Sequence, residues 1–390
     1  MVLQSLQAKG RQRSADLVTA ALIMICLAVG GMARAQDVGA FQRAQHLKRG
    51  INLSMWYAQD HDLYNATGGA EKLASFTTPK DFKLVHDLGF DHVRLSIDPQ
   101  PLIADPTAGT LRPEAMARLD ETVKQITSTG LVVVLDIHPE TPWKHAVTMT
   151  DNGTKQFFAF WKSFAQHYAG TNPEQVYFEV LNEPEGVDPY RWAGEQARAV
   201  AIIRAQAPRH TIIATGENWG GINGLLELEP VRDENVIYSF HDYEPMPFTH
   251  QGATWSTKTL ADLRNVPYPS TPENVAPLLP TLTDEATQKS LAQYGDQRWD
   301  AEHMAQRVGL AVEWAKQRHV PLWCGEFGVY RQFAPAADRA RWITDMRTVL
   351  ERNGIGWNMW DYQSSFGLVT KTGNTTTVDE GVAKALGVGK

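Results

Sequence analysis

Eight short runs of β-branched and aromatic residues recur along this chain, separated by stretches with helical periodicity, and this alternation limits the folds open to it. Two of the runs, LVVVLDI and VYFEVL, are apolar at almost every position, which is typical of parallel strands covered on both faces. The predicted strands are Gly50–Ser54, His92–Ser96, Leu131–Ile137, Val176–Leu181, Thr211–Ala214, Val236–Phe240, Pro321–Gly325 and Gly356–Trp360. Eight strands with intervening helices in 390 residues predict a single α/β domain, a (β/α)8 TIM barrel.

The stretches between the strands carry the apolar spacing of surface helices. From Pro113 to Thr129 the apolar residues recur every three or four positions, and Gly130 then ends the pattern. Two separate domains would also suit the length, and an open doubly wound sheet is the alternative to a closed barrel. No glycine-rich phosphate loop follows the first predicted strand, and this absence favours the barrel.

One segment departs from the alternation. Residues 248–297 follow the sixth predicted strand and are rich in Thr, Pro and Asn. We interpret this segment as a long loop inserted between the sixth strand and the sixth helix of the barrel. Loops of such length often form the walls of functional sites.

The first 35 residues have the pattern of a secretory signal peptide. Basic residues are followed by a mostly apolar run, Leu17–Val29, and by the small-residue site Ala33-Arg34-Ala35. The apolar run is short for a membrane span, although a retained N-terminal anchor is the competing interpretation. We therefore expect a signal peptide at 1–35, a catalytic domain at 36–390, and a secreted or periplasmic protein without membrane contact after cleavage.

The charge and cysteine content restrict the partners. Cleavage after Ala35 would remove four basic residues and one acidic residue, so the net charge would change from −7 to −10. An acidic protein is a poor partner for nucleic acid, and a neutral substrate suits it better. Cys324 is the one cysteine left after residue 35, so no internal disulfide can form. We expect a monomer.

Polar residues follow most of the predicted strands, at the end where barrel enzymes place their active sites. Two carboxylates stand out: Glu183 ends VYFEVLNEP after the fourth strand, and Glu326 lies in PLWCGEFG at the seventh. Glycoside hydrolysis needs two carboxyl groups, one to protonate the leaving oxygen and one to attack or to activate water. A separation of about 5–5.5 Å would indicate retention of configuration, and about 6.5–9.5 Å inversion.

These motifs resemble those of glycoside hydrolase family 5, a cellulase and mannanase family of retaining enzymes. The resemblance extends from RGINLS at 49–54 to WNMWD at 357–361, and it includes eight active-site positions in the family's order. The matching residues are Arg94, His138, Asn182, Glu183, His241, Tyr243, Glu326 and Trp360.

The resemblance implies catalytic roles for two of these residues and support from two others. Glu183 would be the acid/base, with its pKa raised by the charge of Glu326, and Glu326 would be the nucleophile. Arg94 and Tyr243 would hydrogen-bond Glu326. No cofactor and no metal are implied.

The same resemblance places the other matching residues around the sugar. Asn182 would bind the 2-hydroxyl group, and Trp360 would stack under the ring. His138 and His241 would line the site and adjust its acid/base chemistry.

Several residues have competing interpretations. Four tryptophans, Trp56, Trp143, Trp219 and Trp255, could be sugar platforms or packing residues, and the last two are favoured because they lie in loops that follow strands. Asp136 and Glu179 lie inside strands and could be ion-pair partners. The histidines lack the H-E-x-x-H spacing of a zinc site, and Cys324 is expected to be a buried, inert thiol.

The function predicted from these observations is the hydrolysis of a β-linked glucan, most simply a β-1,4-glucan, with retention through a covalent glycosyl-enzyme. The alternatives are a β-1,3-glucanase, a β-1,6-glucanase, a β-mannanase or a periplasmic transglycosylase that remodels glucan. A catalytically inactive carbohydrate-binding protein is the weakest alternative, because both carboxylates and their supporting residues are present.

Overall fold

A computed structural model describes residues 39–59, 69–186, 188–373 and 375–389. The predicted signal peptide lies outside these residues. Eight parallel strands pair in the order β1-β8-β7-β6-β5-β4-β3-β2 and close into a barrel, which confirms the predicted (β/α)8 fold. The strands are β1 Arg49–Tyr57, β2 His92–Ile97, β3 Val132–Ile137, β4 Val176–Glu179, β5 Ile212–Thr215, β6 Val236–His241, β7 Leu322–Phe327 and β8 Gly356–Met359. Each predicted strand coincides with one of them to within a few residues at its ends.

One helix follows each strand around the outside of the barrel. These are α1 Pro79–Asp87, α2 Pro113–Ser128, α3 Asp151–Tyr168, α4 Pro189–Gln206, α5 Ile222–Glu227, α6 Ala301–Arg318, α7 Ala336–Arg352 and α8 Glu380–Leu386. Side chains of Thr150, Asp188, Asp300 and Asp379 accept hydrogen bonds from the first turns of α3, α4, α6 and α8. Among the described residues, no helix combines the length and the apolar character that crossing a bilayer requires.

The barrel interior is apolar at one end and polar at the other. Near the N-terminal ends of the strands, Val134, Tyr177, Ile237 and Trp323 belong to one buried cluster, which the short helix Ala40–Ala44 covers. Towards the C-terminal ends the strands turn polar side chains inward. A layer of buried charged residues therefore lies between the C-terminal rim of the barrel and the apolar cluster.

The predicted insertion between β6 and α6 is present, but it is largely helical rather than an extended loop. It contains the helices Met246–Thr249, Lys258–Ala261, Pro272–Val275 and Glu285–Gln297 and the 3-10 turn Leu279–Thr281. The remaining elements are the helices Gly69–Phe76 and Thr141–Met149, the turn Gln100–Leu102, and the two-stranded sheets Ile103–Asp105 with Thr110–Leu111 and Val369–Thr372 with Thr375–Val378.

Candidate active site

The two predicted carboxylates meet at the C-terminal rim of the barrel. Glu326 lies within β7 and Glu183 lies just beyond β4. One carboxylate oxygen of each lies within 4.8 Å of the other and of a ring nitrogen of His241. Glu183 has a φ of 43°, a left-handed conformation that costs an L residue about 1–2 kcal/mol. The fold therefore holds the Glu183 side chain over the cleft at some expense in backbone strain.

Glu326 is fixed by hydrogen bonds to both of its oxygens. Arg94 Nη1 donates to Oε1 at 2.7 Å, and the Tyr243 hydroxyl donates to Oε2 at 2.7 Å. The Glu326 side chain is only 4% exposed. Next to it, a side chain at Gly325 would press on Ser239 and His241, so glycine leaves the room that these neighbours need.

Arg94 is fully buried and pairs with several carboxylates at once. Its Nε and Nη2 donate to both oxygens of Glu179 at 2.6 and 3.0 Å, and Nη2 lies 3.1 Å from Asp136 Oδ2. Burial alone would lower the pKa of Arg94, but Asp136, Glu179 and Glu326 outweigh it and raise that pKa. Burial raises the pKa of Asp136 to about 7 and also raises the pKa of Glu179. Asp136 and Glu179 are thus ion-pair partners of Arg94 inside the barrel.

Glu183 is less enclosed than Glu326, with 26% of its side chain exposed to the cleft. His241 Nδ1 lies 3.0 Å from Glu183 Oε1 and 3.7 Å from Glu326 Oε2. The pKa of Glu183 is raised, as the resemblance implied, but the main cause is burial rather than the charge of Glu326, and Lys144 opposes it. Burial lowers the pKa of His241 to about 4, so this ring is neutral near pH 7.

The three remaining predicted residues lie on the same rim. Asn182 Oδ1 accepts a hydrogen bond from Arg94 at 2.9 Å, and its Nδ2 lies 3.1 Å from His138 Nε2. His138 Nδ1 lies 2.8 Å from Asp136, which fixes the ring, and burial lowers the pKa of His138 to about 3. Trp360 stacks on His138 with 5.7 Å between ring centroids. All eight residues predicted from the family pattern thus belong to one connected rim.

The four candidate tryptophans divide into two pairs. Trp56 is buried, and Trp143 packs edge-to-face on Phe157, so these two are packing residues. Trp219 and Trp255 are 57% and 58% exposed and line a cleft of about 600 Å³ that includes Glu183. The two favoured tryptophans therefore lie exposed in the same cleft as Glu183.

The cluster of Glu183, His241 and Glu326 also has the spacing of a possible metal site. Both oxygens of Glu326 already accept hydrogen bonds, one of them from the Arg94 cation. A divalent ion there would lie beside the fixed positive charge of Arg94, which would repel it. The residues present therefore suit a glycosidase pair better than a metal centre.

Sequence reasoning did not single out five further residues of the site. They are Asn52, Lys144, Glu185, Asp242 and Arg307. Asn52 accepts a hydrogen bond from Arg94, and it follows Ile51 in the first predicted strand, so its position in RGINLS was the available signal. Burial raises the pKa of Asp242 to about 6, and Arg307 pairs with it across the cleft wall at 3.2 Å. No local pattern marks the other residues.

The comparison with known families decides the assignment. Residues 59–365 match the family model described as cellulase, glycosyl hydrolase family 5. The chain belongs to glycosyl hydrolase family 5. It is therefore a glycosidase.

Relatives and solved structures agree with this family assignment. Endoglucanase C of Acetivibrio thermocellus is 28% identical over 81% of this chain and 91% of its own length. The crystal structure of endoglucanase Cel5A from Thermotoga maritima superposes with a TM-score of 0.74 at 26% identity, over 90% of this chain and 100% of that chain. Other structures of that Thermotoga enzyme hold cellobiose and mannotriose. The cellulose synthase subunit Z of Clostridioides difficile matches with a TM-score of 0.68 at 25% identity, over 87% of this chain and 99% of that chain.

Proposed function

We propose that this protein is a retaining β-glucanase that cleaves β-1,4-glucan within the chain. The observation that carries the mechanism is the approach of Glu183 and Glu326, whose nearest oxygens lie within 4.8 Å. Retaining glycosidases hold their carboxyl groups about 5–5.5 Å apart, whereas inverting enzymes need about 6.5–9.5 Å to admit a water molecule between them.

The proposed reaction has two displacements. Glu326, oriented by Arg94 and Tyr243, attacks the anomeric carbon, while Glu183 gives its proton to the leaving glycosidic oxygen. The C–O bond breaks and a glycosyl ester of Glu326 forms. Glu183, now ionised, removes a proton from water, which attacks the same carbon and releases Glu326. His241 Nδ1 lies 3.0 Å from Glu183 Oε1, and because burial lowers the pKa of His241 to about 4, this ring adds no charge beside the acid/base near pH 7.

The choice of a β-1,4-glucan rests on the relatives and on the shape of the cleft. Endoglucanase C and Cel5A carry glucanase names, and Cel5A has also been crystallised with mannotriose. Trp219 and Trp255 add exposed flat faces on which the axial C–H bonds of an equatorially linked glucan can stack. The name endoglucanase, which both relatives carry, favours cleavage within the chain.

The test is a comparison of purified protein on separate β-1,4-, β-1,3-, β-1,6- and mixed-linkage glucans and a β-mannan. We expect β-1,4-glucan to be cut mid-chain to shorter oligomers, with the β-anomer appearing first by proton NMR. Initial release of the α-anomer would contradict retention. Products longer than the substrate would assign glycosyl transfer, and faster cleavage of mannan would change the substrate.

Removal of the Trp255 ring should weaken substrate binding. Trp255→Ala is expected to raise KM for cellohexaose about two- to tenfold, because a stacked aromatic ring contributes roughly 0.5–1.5 kcal/mol. Trp255→Phe should retain most of the affinity. Phe41→Ala removes an equally exposed ring outside the cleft and serves as the control. An unchanged KM in Trp255→Ala would contradict the assignment of Trp255 as a sugar platform.

We further propose that the protein is exported, on the strength of the basic start, apolar run and small-residue site of residues 1–35. Expression of the full chain in a bacterial host should give a processed product that begins at Gln36 outside the cytoplasm. N-terminal sequencing of the fractionated protein makes the measurement. Retention of Met1 in a membrane fraction would instead support an anchor.

A further inference from the structure

Glu185 lies two residues after the catalytic acid and contacts three elements of the rim. Its Oε2 accepts a hydrogen bond from Trp219 Nε1 at 3.2 Å. Its Oε1 lies 3.3 Å from the ammonium of Lys144, and its backbone carbonyl accepts from Thr148 at 2.6 Å. The side chains of Glu185 and Lys144 are only 12% and 9% exposed, so this ion pair is shielded from solvent, whereas the contact with Trp219 lies at the surface of the cleft.

Lys144 extends this chain of contacts to Glu183. Lys144 lies in the helix Thr141–Met149, its side chain is 9% exposed, and its ammonium donates to the Glu183 carbonyl at 3.4 Å. A buried ammonium needs a partner, and Glu185 supplies the opposite charge. The positive charge of Lys144 lowers the pKa of Glu183, and the negative charge of Glu185 raises it.

Trp219 is also held by its backbone. Its N–H donates to the Pro184 carbonyl at 3.2 Å, and Trp219 and Asn218 both have left-handed φ values, 54° and 63°. Trp219 itself is 57% exposed, so few packing contacts restrict the orientation of its indole ring. The hydrogen bond to Glu185 is a side-chain contact that fixes the indole plane.

We infer that Glu185 is a positioning residue with two tasks: it orients the Trp219 sugar platform, and with Lys144 it sets the proton affinity of the catalytic acid. The first task rests on the proposed function. The second is a property of the folded protein and can be measured without substrate. One side chain, Glu185, thus affects both the orientation of the sugar platform and the proton that Glu183 donates.

The sign of the electrostatic effect follows from the charges around Glu183. The titratable and charged groups that face it are Arg94 on β2, Asp136 on β3, His138 after β3, Lys144, Glu185, His241 on β6, Tyr243 after β6, and Glu326 on β7. His145 lies beside Glu185, with Nε2 3.6 Å from Oε2. Removing the Glu185 charge takes away a repulsion that favours protonated Glu183. The Lys144 cation remains and continues to favour ionised Glu183, so the pKa of Glu183 should fall.

The experiment follows the carboxyl carbon of Glu183 by NMR as a function of pH, with its resonance identified by its loss in Glu183→Gln. In Glu185→Gln the midpoint of Glu183 should fall by roughly one pH unit. In Lys144→Met it should rise. Glu229→Gln removes a surface glutamate that pairs with Arg318 away from the cleft, and it should leave the midpoint unchanged. A Glu183 midpoint that stays or rises in Glu185→Gln would overturn the electrostatic task.

Kinetics separate the two tasks. In Glu185→Gln the negative charge is lost, so the basic limb of the pH profile of kcat/KM should move to lower pH. The amide oxygen can still accept a hydrogen bond from Trp219, so KM for cellooligosaccharides should stay close to that of wild type. In Glu185→Ala the limb should move and KM should also rise severalfold. Trp219→Phe should raise KM without moving the limb. An unchanged KM in Glu185→Ala on an active enzyme would overturn the orienting task.

Failure of the inference and failure of the proposed function are distinguishable. If the wild-type protein cut none of the glucans, the proposed function would fail, and the NMR titration would still decide the effect of Glu185 on Glu183. If the wild type is active and all midpoints coincide, the function stands and the coupling through Glu185 is wrong.

Discussion

Replacing Glu326 by alanine should abolish glucan cleavage, lowering kcat by about 10⁴-fold or more, because the glycosyl-enzyme can no longer form. The fold should persist, since Arg94 keeps Asp136 and Glu179 as partners when Glu326 is lost. Steady-state kinetics on the preferred glucan, with circular dichroism as the folding check, make the measurement. Residual activity within tenfold of wild type would mean that another residue is the nucleophile.

Azide provides the complementary control, since it is a small nucleophile that needs no general base. In Glu326→Ala it should enter the cavity and attack an activated β-glucoside directly, giving the α-glycosyl azide. In Glu183→Ala it should instead capture the glycosyl-enzyme and give the β-glycosyl azide. The loss in Glu183→Ala should be smaller, about 10²–10⁴-fold on unactivated substrates, the usual range for general acid/base catalysis. If Glu326→Ala gave the β-glycosyl azide and Glu183→Ala gave the α-glycosyl azide, the roles of the two residues would be reversed.

Replacing Arg94 by methionine should cause the largest loss of stability among the variants considered. Arg94 is fully buried and pairs with Asp136, Glu179 and Glu326, so methionine leaves three carboxylates without a buried cation. Breaking a buried pair by removing one partner typically costs about 3–5 kcal/mol. The midpoint of urea unfolding measures the effect. Arg298→Met breaks an exposed pair with Glu273 and should leave the midpoint unchanged.

The pH dependence distinguishes this cause from a simple packing defect. Burial already raises the pKa of Asp136 to about 7 in the presence of Arg94, and loss of the cation would raise it further. A carboxyl group whose folded pKa exceeds its unfolded pKa binds its proton more tightly when folded, so stability falls as pH rises through that interval. The loss of unfolding free energy in Arg94→Met, relative to wild type, should therefore be largest above pH 7 and should shrink towards pH 5. A deficit independent of pH would indicate packing alone.

The barrel could be predicted because the sequence patterns that specify its strands and helices are local. Runs such as Leu131–Ile137 are apolar on both faces, and helices such as α2 carry their stripe and their glycine stop in the sequence. The placement of the eight family-pattern residues could be predicted because each lies within or just after a strand in a recognisable motif, whereas their roles stay predictions. Strand ends meet at one rim in any such barrel, so order along the chain was enough to bring them together.

The helices of the β6–α6 insertion were not predicted, for a physical reason. Thr271 and Asn274 form a capping box around Pro272, and Thr257 and Asp284 cap two further helices. Threonine, proline and asparagine favour both loops and helix starts, so composition alone could not separate the two.

The contacts between loops were also beyond the sequence. Glu185 meets Lys144 and Trp219 only because the barrel brings three loops together, and no spacing in the sequence encodes that meeting. The separation of Glu183 and Glu326 likewise depends on the diameter of the barrel and on the left-handed backbone of Glu183. The chemistry could be predicted from motifs, whereas its fine adjustment required coordinates.

The burial of Cys324, the isolated cysteine, has a practical consequence for site-specific labelling of this enzyme. Cys324 is fully buried beneath the rim, and burial raises the pKa of its thiol, so it presents little thiolate to alkylating reagents. A cysteine introduced at the exposed cleft residue Ser256, in protein lacking residues 1–35, would then be the one readily labelled position. A fluorophore attached there could report, in single molecules, each passage of a polymer along the cleft.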